Sequence, residues 1–152
     1  MKRVLVTGMS GTGKSTLLAV LATRGYWTVD TDHGDYLETV GGESLWVETR
    51  IDELLSAEDP RGLLFVQGTT RNQVMFYPRF DHVVLLSAPR DVIVDRVRTR
   101  TNNSFGRRPG EIAAILEDLA EVEPLLRAAA TLEVVTTVPV EAVADAVLAH
   151  VF

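Results

Sequence analysis

One octapeptide near the start of the chain restricts the fold more than any other segment. Residues 8–15 read GMSGTGKS and fit the pattern G-x-x-x-x-G-K-[ST]. A short β-branched run, Arg3 to Thr7, precedes the octapeptide, and a segment with the character of a helix, Lys14 to Thr23, follows it. This order of strand, loop and helix is the context in which the pattern forms a loop that wraps around phosphate groups.

The residue types in this phosphate-binding loop (P-loop, residues 8–15) suit the chemistry of a nucleoside triphosphate. Glycines let main-chain N–H groups turn toward the phosphates, and the start of the helix adds the positive end of its dipole. We expect Lys14 to reach the β- and γ-phosphate oxygens and the Ser15 hydroxyl to bind Mg²⁺. The expected cofactors are therefore ATP, with GTP left open, and Mg²⁺. The residues expected to bind the nucleotide here are Gly8, Ser10, Gly11, Thr12, Gly13, Lys14, Ser15 and Thr16.

Composition excludes several classes of protein. The chain has 152 residues, 46% of them apolar, and we expect one domain over residues 1–152. It contains no cysteine, which excludes disulfides, thiolate metal sites and a cysteine nucleophile. The net charge of −6 argues against broad binding to nucleic acid. No apolar run approaches the about 20 residues that span a membrane, and no signal peptide is apparent, so we expect a cytoplasmic protein, monomeric or homodimeric.

Strand-like and helix-like segments alternate along the chain. Their apolar patterns predict strands at residues 3–7, 26–29, 63–66, 82–86 and 132–136. Helices are expected at residues 14–23, 43–56, 91–100, 111–130 and 140–151, with a kink at Pro124 in the fourth. Because parallel strands need such crossovers, the alternation predicts an α/β protein with a mostly parallel sheet and helices on both faces.

Residues 80–100 carry a resemblance to a known group of enzymes. They read FDHVVLLSAPRDVIVDRVRTR and resemble the strand and helix of adenylate kinase that end in R-x-x-x-R before the lid. The whole chain resembles the nucleoside-monophosphate-kinase-like and shikimate-kinase-like small P-loop kinases. That resemblance implies a three-layer P-loop NTPase fold with a five-stranded parallel sheet, order 2-3-1-4-5, and a short lid. It also implies that Arg96 lies against the adenine ring and that Arg100 reaches the ATP phosphates, and residues four apart do share a helix face.

Two further segments resemble parts of these kinases that touch the nucleotide. Residues 101–110, TNNSFGRRPG, stand where the kinases keep their lid, and Arg108-Pro109 is similar to the R-P of the shikimate-kinase lid. The resemblance implies that Arg108 meets the transferred phosphoryl group, an electrostatic role that this chemistry requires. Val138 and Pro139 stand where the family passes its backbone along the adenine, an assignment that rests on resemblance alone.

The second expected strand ends in two acidic residues. Residues 25–32, GYWTVDTD, resemble the second strand of shikimate and gluconate kinases, which ends in D-x-D. The resemblance implies that Asp30 supports Mg²⁺, usually through water, and that Asp32 faces the hydroxyl that attacks. Alternation along a strand places Asp30 and Asp32 on the same side, where both can face a cleft at the carboxyl end of the sheet.

The third expected strand runs into the segment QGTTR, residues 67–71. It is similar in position to the D-G-x-P-R of nucleoside-monophosphate kinases, with Gly68 and Arg71 matching and Gln67 in place of the aspartate. A neutral amide cannot help to neutralise a metal ion. Arg71 offers a fork for an anionic group on the acceptor. Arg50, one turn from Trp46 on the helix expected at residues 43–56, is a second candidate, within an acceptor-binding segment at about residues 33–58.

These features together predict a kinase that transfers the γ-phosphoryl group of Mg·ATP to a small-molecule acceptor, with Lys14, Asp32, Arg100 and Arg108 as catalytic residues. Asp32 favours a hydroxyl and Arg71 an anion, so a nucleoside monophosphate and a small hydroxylated metabolite both stay open. A nucleotide-binding ATPase or switch module without a small-molecule acceptor is the alternative. An RNA 5′-hydroxyl kinase is a third possibility, which the acidic balance of the chain disfavours.

Overall fold

The computed structural model of the protein describes residues 1–99 and 110–152. Within these ranges there are seven β-strands, six α-helices and one 3₁₀ helix. In chain order they are β1 (Lys2–Thr7), α1 (Lys14–Thr23), β2 (Trp27–Asp30), β3 (Leu37–Val40), β4 (Glu43–Trp46), α2 (Glu48–Ser56), β5 (Leu63–Gln67), the 3₁₀ helix (Arg71–Arg79), β6 (His82–Ser87), α3 (Arg90–Thr99), α4 (Glu111–Glu121), α5 (Glu123–Ala129), β7 (Leu132–Val135) and α6 (Val140–Val151). None of these helices is long and apolar enough to cross a membrane.

Five of the strands form one parallel sheet in the order β2-β5-β1-β6-β7. Counted among these five strands alone, the order is 2-3-1-4-5, so the expected α/β fold and sheet order are confirmed. The strands β3 and β4 pair with each other in an antiparallel hairpin outside this sheet. The hairpin is an addition that the sequence patterns did not predict.

The two faces of the sheet are covered by different elements because side chains alternate along each strand. On β1, Val4 and Val6 pack into a cluster with buried leucines of α1 and valines of α6. Leu5, between them, packs on the opposite face with Ile51 of α2 and Phe76 of the 3₁₀ helix. The central strand is therefore buried on both faces, which gives the three layers of the fold.

The hairpin corrects one expectation about secondary structure. The helix expected at residues 43–56 begins only at Glu48, and residues 43–46 form β4. Gly41 and Gly42 connect β3 to β4 with φ angles of +59° and +80°. Positive φ at both central residues belongs to the type I′ turn, whose twist suits a two-residue hairpin. Trp46 consequently lies on a strand, so the helical spacing assumed between Trp46 and Arg50 was wrong.

Other element boundaries agree with the patterns or differ for identifiable reasons. The helices expected at residues 14–23 and 140–151 have those same bounds. The helix expected at residues 111–130 is divided into α4 and α5, and Pro124 stands in the first turn of α5, where the missing N–H costs little. The 3₁₀ helix was not predicted, and its start is capped by reciprocal bonds between Thr70 and Gln73.

Candidate active site

A cleft of about 480 Å³ lies where the P-loop leaves β1 and enters α1. Asp32, just beyond the end of β2, lines the same cleft, as do Arg96 on α3 and Val138 before α6. Most residues expected to bind the nucleotide are thus brought together at the carboxyl end of the sheet. The expected residues that line the cleft are Ser10, Gly11, Thr12, Gly13, Lys14, Ser15, Thr16, Asp32, Arg96 and Val138.

The first glycine of the P-loop is required by close packing. Gly8 has φ +154°, and a Cβ atom added there would lie 2.5 Å from the Leu86 carbonyl oxygen and 2.8 Å from Thr12 Oγ1. These distances are shorter than any ordinary contact, so a side chain at Gly8 would displace the neighbouring strand β6. The absence of a side chain at Gly8 lets the loop turn directly above the sheet.

Lys14 and Thr69 both bind the main chain at the start of this loop. The Lys14 Nζ atom donates to the carbonyl oxygens of Gly8, at 2.7 Å, and of Met9, at 3.2 Å. Thr69 Oγ1 donates to the Gly8 carbonyl at 2.6 Å and accepts from the Gly8 N–H at 3.3 Å. The loop that follows β5 is therefore tied to the loop that follows β1, and the Lys14 ammonium lies within the P-loop.

Arg96 connects the P-loop to the segment before α6. Its Nη1 atom donates to the Gly11 carbonyl at 3.2 Å and to Thr136 Oγ1 at 2.8 Å, and its Nη2 atom donates to the Thr136 carbonyl. Thr136 Oγ1 in turn donates to the Thr12 carbonyl at 2.8 Å. Stacking of Arg96 on a base stays a prediction, as does the base-binding role of Val138 and of Pro139, which stands at the start of α6.

The segment before α6 is linked through Ser87 to an ion pair between Glu133 and Arg127. Ser87, at the end of β6, accepts the Thr136 N–H on its carbonyl at 2.8 Å and donates its hydroxyl to Glu133 Oε2 at 2.7 Å. Arg127 Nε donates to Glu133 Oε1 at 2.7 Å. The Arg127 hydrogen bond first, and the Ser87 hydroxyl second, hold the pKa of the Glu133 carboxyl below its ordinary value. The negative charge of Glu133 is therefore part of the folded structure at neutral pH.

Two carboxylates and one amide meet beside the P-loop. The Ser15 hydroxyl donates to Asp30 Oδ2 at 2.9 Å. The Gln67 Nε2 atom donates to Asp30 Oδ1 and also to Asp32 Oδ2, the latter at 3.0 Å. Gln67 is fully buried at the end of β5, directly opposite Asp30 in the parallel pairing of β2 with β5. The structure thus brings Ser15, Asp30 and Asp32 together, as expected, and adds Gln67 to them.

The donor atoms of this cluster fit Mg²⁺. A hydroxyl and two carboxylates offer only oxygen, and Mg²⁺ in nucleotide sites commonly takes one or two carboxylates together with phosphate oxygens and water. The described ranges hold no group of three histidine, aspartate or glutamate side chains that would form a complete protein cage. The cluster therefore suits an ion that is shared with a bound phosphate, for which Ser15 and Asp30 would supply the protein oxygens.

Gly68 occupies a tightly packed position behind these acids. A Cβ atom added to Gly68 would lie 2.7 Å from Thr31 Oγ1 and 2.8 Å from Trp46 Cζ2. Trp46 is fully buried, and its Nε1 atom donates to Thr31 Oγ1 at 2.9 Å. The hairpin is thereby anchored to the residue between the two aspartates. This contact explains a glycine at position 68 by packing, and a contact between Gly68 and an acceptor stays a prediction.

The two arginines proposed for the acceptor lie outside the cleft lining and are paired with acids. Arg71 Nη2 lies 3.0 Å from Glu43 Oε2 on β4, and Arg50 Nη2 lies 3.6 Å from Asp35 Oδ2. The Arg71 and Arg50 side chains are 75% and 52% exposed. Both pairs are therefore weak, since exposed ion pairs contribute little to stability. Arg100 and Arg108, with nearly all of the expected lid, lie outside the described residues.

Sequence reasoning missed three residues that shape this site. Gln67 was treated as a departure from the kinase pattern, yet it binds both aspartates. Trp46 was placed on a helix, whereas Gly41-Gly42 between two short runs is a recognised signal for a hairpin. Asn72 had no visible signal: its amide accepts the Trp46 N–H at 3.0 Å and donates to the Trp46 carbonyl at 2.9 Å, which holds β4 against the 3₁₀ helix.

Comparison with known families and proteins places the chain among P-loop proteins. The profile of a family described as "AAA domain" matches residues 4–117. A protein named "Nucleotide-binding protein" from Fervidobacterium nodosum is 27% identical over 137 residues, which are 88% of this chain and 47% of the relative. A protein of the same name from Rhodococcus erythropolis is 32% identical over 95 residues, 61% of this chain and 32% of the relative. The chain spans less than half the length of each of these two relatives.

Solved structures share the fold over nearly the whole chain. Shikimate kinase from Acinetobacter baumannii, in complex with shikimate, has a TM-score of 0.69 at 22% identity, with 97% of this chain and 91% of the kinase covered. A gluconokinase from Sinorhizobium meliloti 1021 has a TM-score of 0.65 at 20% identity, with 99% and 91% covered. TT1252 from Thermus thermophilus has a TM-score of 0.63 at 20% identity, with 99% and 98% covered. The expected resemblance to small P-loop kinases is confirmed at the level of the fold.

Proposed function

The chain belongs to the AAA domain family, and on that premise we propose that it is an ATP-dependent phosphotransferase that moves the γ-phosphoryl group of Mg·ATP to a small-molecule acceptor. One observation carries the proposal. Asp32, an acid that a P-loop does not need for nucleotide binding alone, lines the same cleft as Lys14 and Ser15. A carboxylate beside the expected position of the γ-phosphate is the group that would orient and deprotonate an attacking hydroxyl.

In this mechanism the P-loop binds the triphosphate through its main-chain N–H groups. Lys14 leaves the carbonyl oxygens of Gly8 and Met9 and binds the β- and γ-phosphate oxygens. Ser15 and Asp30 would hold Mg²⁺, which would supply positive charge to offset the charge of the phosphate oxygens. The cleft would hold the acceptor and the γ-phosphate next to each other, which favours an attack in line with the bond that breaks.

Asp32 acts on the acceptor. Its Oδ2 atom accepts a hydrogen bond from Gln67, so we assign the acceptor hydroxyl to Oδ1. Oδ1 accepts the hydroxyl proton as the acceptor oxygen forms its bond to the γ-phosphorus and the bond to ADP breaks. The products are ADP and the phosphorylated acceptor, with the proton left on Asp32 and then released to water.

The acceptor is either a small hydroxylated metabolite or a nucleoside monophosphate. Proton removal by Asp32 applies to the hydroxylated metabolite, because the phosphate oxygen through which a nucleoside monophosphate attacks is already ionised at neutral pH. Arg71 and Arg50 would bind its anionic group by exchanging their present partners, Glu43 and Asp35, for a phosphate or carboxylate of the acceptor. The exchange costs little because both ion pairs are exposed.

A second candidate function is a nucleotide-dependent module without a small-molecule acceptor. The amide of Gln67 in place of an acid favours it, since the site then has one fewer negative charge to balance a metal ion. The relatives named only "Nucleotide-binding protein" are compatible with it as well.

The proposal is tested by the release of ADP from Mg·ATP in the presence of nucleoside monophosphates, nucleosides and small hydroxy acids and polyols. We expect one class to stimulate release, and Asp32→Asn to lower the stimulated rate by about 100-fold or more, the usual size of a lost general base. ATP affinity should change by less than about threefold, because Asp32 does not bind the phosphates. The matched control is Asp118→Asn, which removes an exposed acid on α4 outside the cleft lining.

Two outcomes would contradict the kinase. Tight ATP binding with no stimulation by any acceptor class would favour the nucleotide-dependent module. Equal stimulated rates in the wild-type protein and in Asp32→Asn would remove Asp32 from the chemistry.

A further inference from the structure

We propose that Gln67 is a positioning residue whose side-chain amide holds Asp30 and Asp32 in the single arrangement that serves both a divalent cation and an acceptor. The inference deepens the proposed function and rests on it for the acceptor half. The part of the proposal that concerns the divalent cation requires only that the protein binds a nucleotide. The role requires a donor at position 67, so a carboxylate there would not perform it.

The main chain fixes the position of Gln67. It is the last residue of β5, which lies between β1 and β2, and it pairs with Val6 on one side and Asp30 on the other. The residue is fully buried. A side chain in such a place has little freedom, so the bonds that it forms are a property of the sheet register and not of a mobile surface group.

The direction of the amide is fixed by the two carboxylates. Nε2 donates to one oxygen of Asp30 and, at 3.0 Å, to one oxygen of Asp32. Turning the amide over would place its carbonyl oxygen against both carboxylates, where it would be repelled and could donate nothing. Gln67 Oε1 is buried without a hydrogen-bond partner in the described part of the chain. The two charge-assisted bonds outweigh the cost of that one unsatisfied acceptor.

The amide adds a side-chain link between the two acids to an existing main-chain link, in which the Asp32 N–H donates to Asp30 Oδ1 at 3.0 Å. Asp30 accepts the Ser15 hydroxyl at 2.9 Å, on the side of the expected metal. Asp32 lines the cleft on the side of the expected acceptor. Gln67 lies between them, so a continuous set of hydrogen bonds runs from Ser15 through Asp30 and Gln67 to Asp32. A change in the position of one carboxylate is passed to the other through the amide.

The chemistry at position 67 can be dissected by two substitutions of nearly equal size. Methionine keeps the volume and removes the donor. Glutamate keeps the shape, replaces the donor by an acceptor and brings a third negative charge against two others, which a bound cation would offset. The two substitutions therefore separate loss of the bonds from gain of charge.

The first experiment needs no turnover. The chain has only two glutamines, Gln67 and Gln73, so side-chain amide signals of protein labelled with ¹⁵N-glutamine are readily assigned. Gln73 is an internal control, since its buried Nε2 atom donates to the neutral hydroxyls of Thr7 and Tyr77, each at 3.1 Å. We expect Asp32→Asn to shift the Gln67 signals and leave those of Gln73 in place.

The second experiment measures how strongly Mg²⁺, and Mn²⁺ as a spectroscopic probe, enhances binding of a non-hydrolysable ATP analogue. We expect Gln67→Met to reduce this enhancement by about tenfold, the size of a lost bond to a charged group. Gln67→Glu loses the same bonds but adds negative charge beside the cation, so its half-maximal Mg²⁺ concentration should lie below that of Gln67→Met. The control, Gln73→Met, should lower the melting temperature without changing the enhancement.

The acceptor half is measured in the same variants. With an acceptor that stimulates ADP release, Gln67→Met should lower kcat by about tenfold while KM for ATP at saturating Mg²⁺ stays within about twofold. An unchanged enhancement by Mg²⁺ in folded Gln67→Met would overturn the inference. If that variant does not fold, Gln67 signals that are unmoved by Asp32→Asn would overturn it instead. Absence of any acceptor would defeat the proposed function, whereas the difference in Mg²⁺ enhancement would still test Gln67.

Discussion

The two sides of the cleft are held together by different kinds of hydrogen bond. On the phosphate side (residues 8–16, Arg96 and Thr136), charged and hydroxyl side chains donate mainly to main-chain carbonyls, as Lys14 does to Gly8 and Arg96 to Gly11. On the acceptor side (residues 30–32, 67–71 and the hairpin 37–46), side chains bind mainly one another. Asp30 and Asp32 share the Gln67 amide there, and Arg71 pairs with Glu43.

This difference separates what the fold fixes from what a ligand can change. The carbonyls that accept these bonds lie in the short connections from β1 to α1 and from β7 to α6, whose ends are fixed by the sheet and the helices, so the phosphate side is preorganised. Pairs of exposed charges exchange partners at small cost. A ligand with its own anion can therefore rearrange the acceptor side while the phosphate side keeps its shape.

The largest effect is expected from Lys14, the residue that moves from the main chain to the phosphates. Lys14→Ala should lower the affinity for ATP by about 100-fold, because a charge-assisted contact to phosphate in a shielded site is lost. The chain has only one other lysine, Lys2, which bonds the Val151 carbonyl at 2.8 Å. Lys2→Ala is therefore the matched control, and equal nucleotide affinities in the two variants, measured by calorimetry, would contradict the assignment.

The second prediction concerns Arg96 and asks whether the phosphate side depends on the several N–H donors of its planar guanidinium. Arg96→Lys keeps the charge but cannot reach Gly11 and both oxygens of Thr136 together, so ATP affinity should fall by about tenfold. Arg98→Lys, on the exposed face of the same helix, is the control. Equal affinities for ATP in the Arg96→Lys and Arg98→Lys variants would show that the guanidinium of Arg96 is not needed for the structure of the site.

Gly68 tests the packing that anchors the acceptor side. Gly68→Ala should destabilise the protein by about 1–3 kcal/mol, as overpacking does, because its Cβ would meet Thr31 and Trp46. Trp46→Phe removes the Cζ2 and Nε1 atoms that crowd this position, so the same alanine should cost less in that background. Urea unfolding of the two single variants and the double variant gives the comparison. Fully additive losses would mean that Trp46 does not restrict position 68.

The smallest effect is expected on the stability that the ionised Glu133 carboxylate contributes, and it depends on pH. The Arg127 hydrogen bond holds the pKa of Glu133 below 4.5, so the stabilisation is complete above that pH and is lost as the pH falls through the lowered value. Glu133 is 31% and Arg127 46% exposed, which limits the effect to about 1 kcal/mol. Glu133→Gln should lower the melting temperature by about 2–4 °C at neutral pH.

This difference should disappear on acidification. Melting curves of wild type and Glu133→Gln from about pH 7 to about pH 3 measure it, with Glu121→Gln, an exposed acid on α4, as the control. A gap between the two melting temperatures that grows toward low pH would contradict the sign.

Local patterns were sufficient for the P-loop itself. The spacing from Gly8 to Ser15 predicts the loop because its glycines, lysine and serine lie within eight consecutive residues, whereas its bonds to Thr69, Arg96 and Thr136 join distant parts of the chain. The sheet order followed from the family resemblance. The pairing of Asp30 with Gln67 depends on the register of two strands 37 positions apart in the chain, which no local pattern contains.

The hairpin could have been predicted from the sequence, but its contacts with Gly68 and Asn72 could not. Gly41-Gly42 is a turn signal, but the apolar residues that follow have helical spacing, and this led to a helix that was extended back to Glu43. These apolar residues are Val47, Ile51, Leu54 and Leu55. Trp46 packs against Phe76, Gly68 leaves room for its indole, and Asn72 binds its main chain, and these three residues follow a different strand, β5. Tertiary contacts therefore decided the structure of residues 43–46.

The buried indole of Trp46 also provides an intrinsic fluorescent probe of the site. Its N–H is bonded to Thr31, the residue between Asp30 and Asp32, whereas the chain's other indole, Trp27, lies on β2 with the Arg61 guanidinium 5.5 Å from its ring centre. Trp46 is fully buried and Trp27 only partly so, and an indole shielded from water emits at shorter wavelengths than one in contact with it. Replacing Trp27 leaves Trp46 as a single native fluorophore, whose emission follows rearrangement of the two acids without any attached dye.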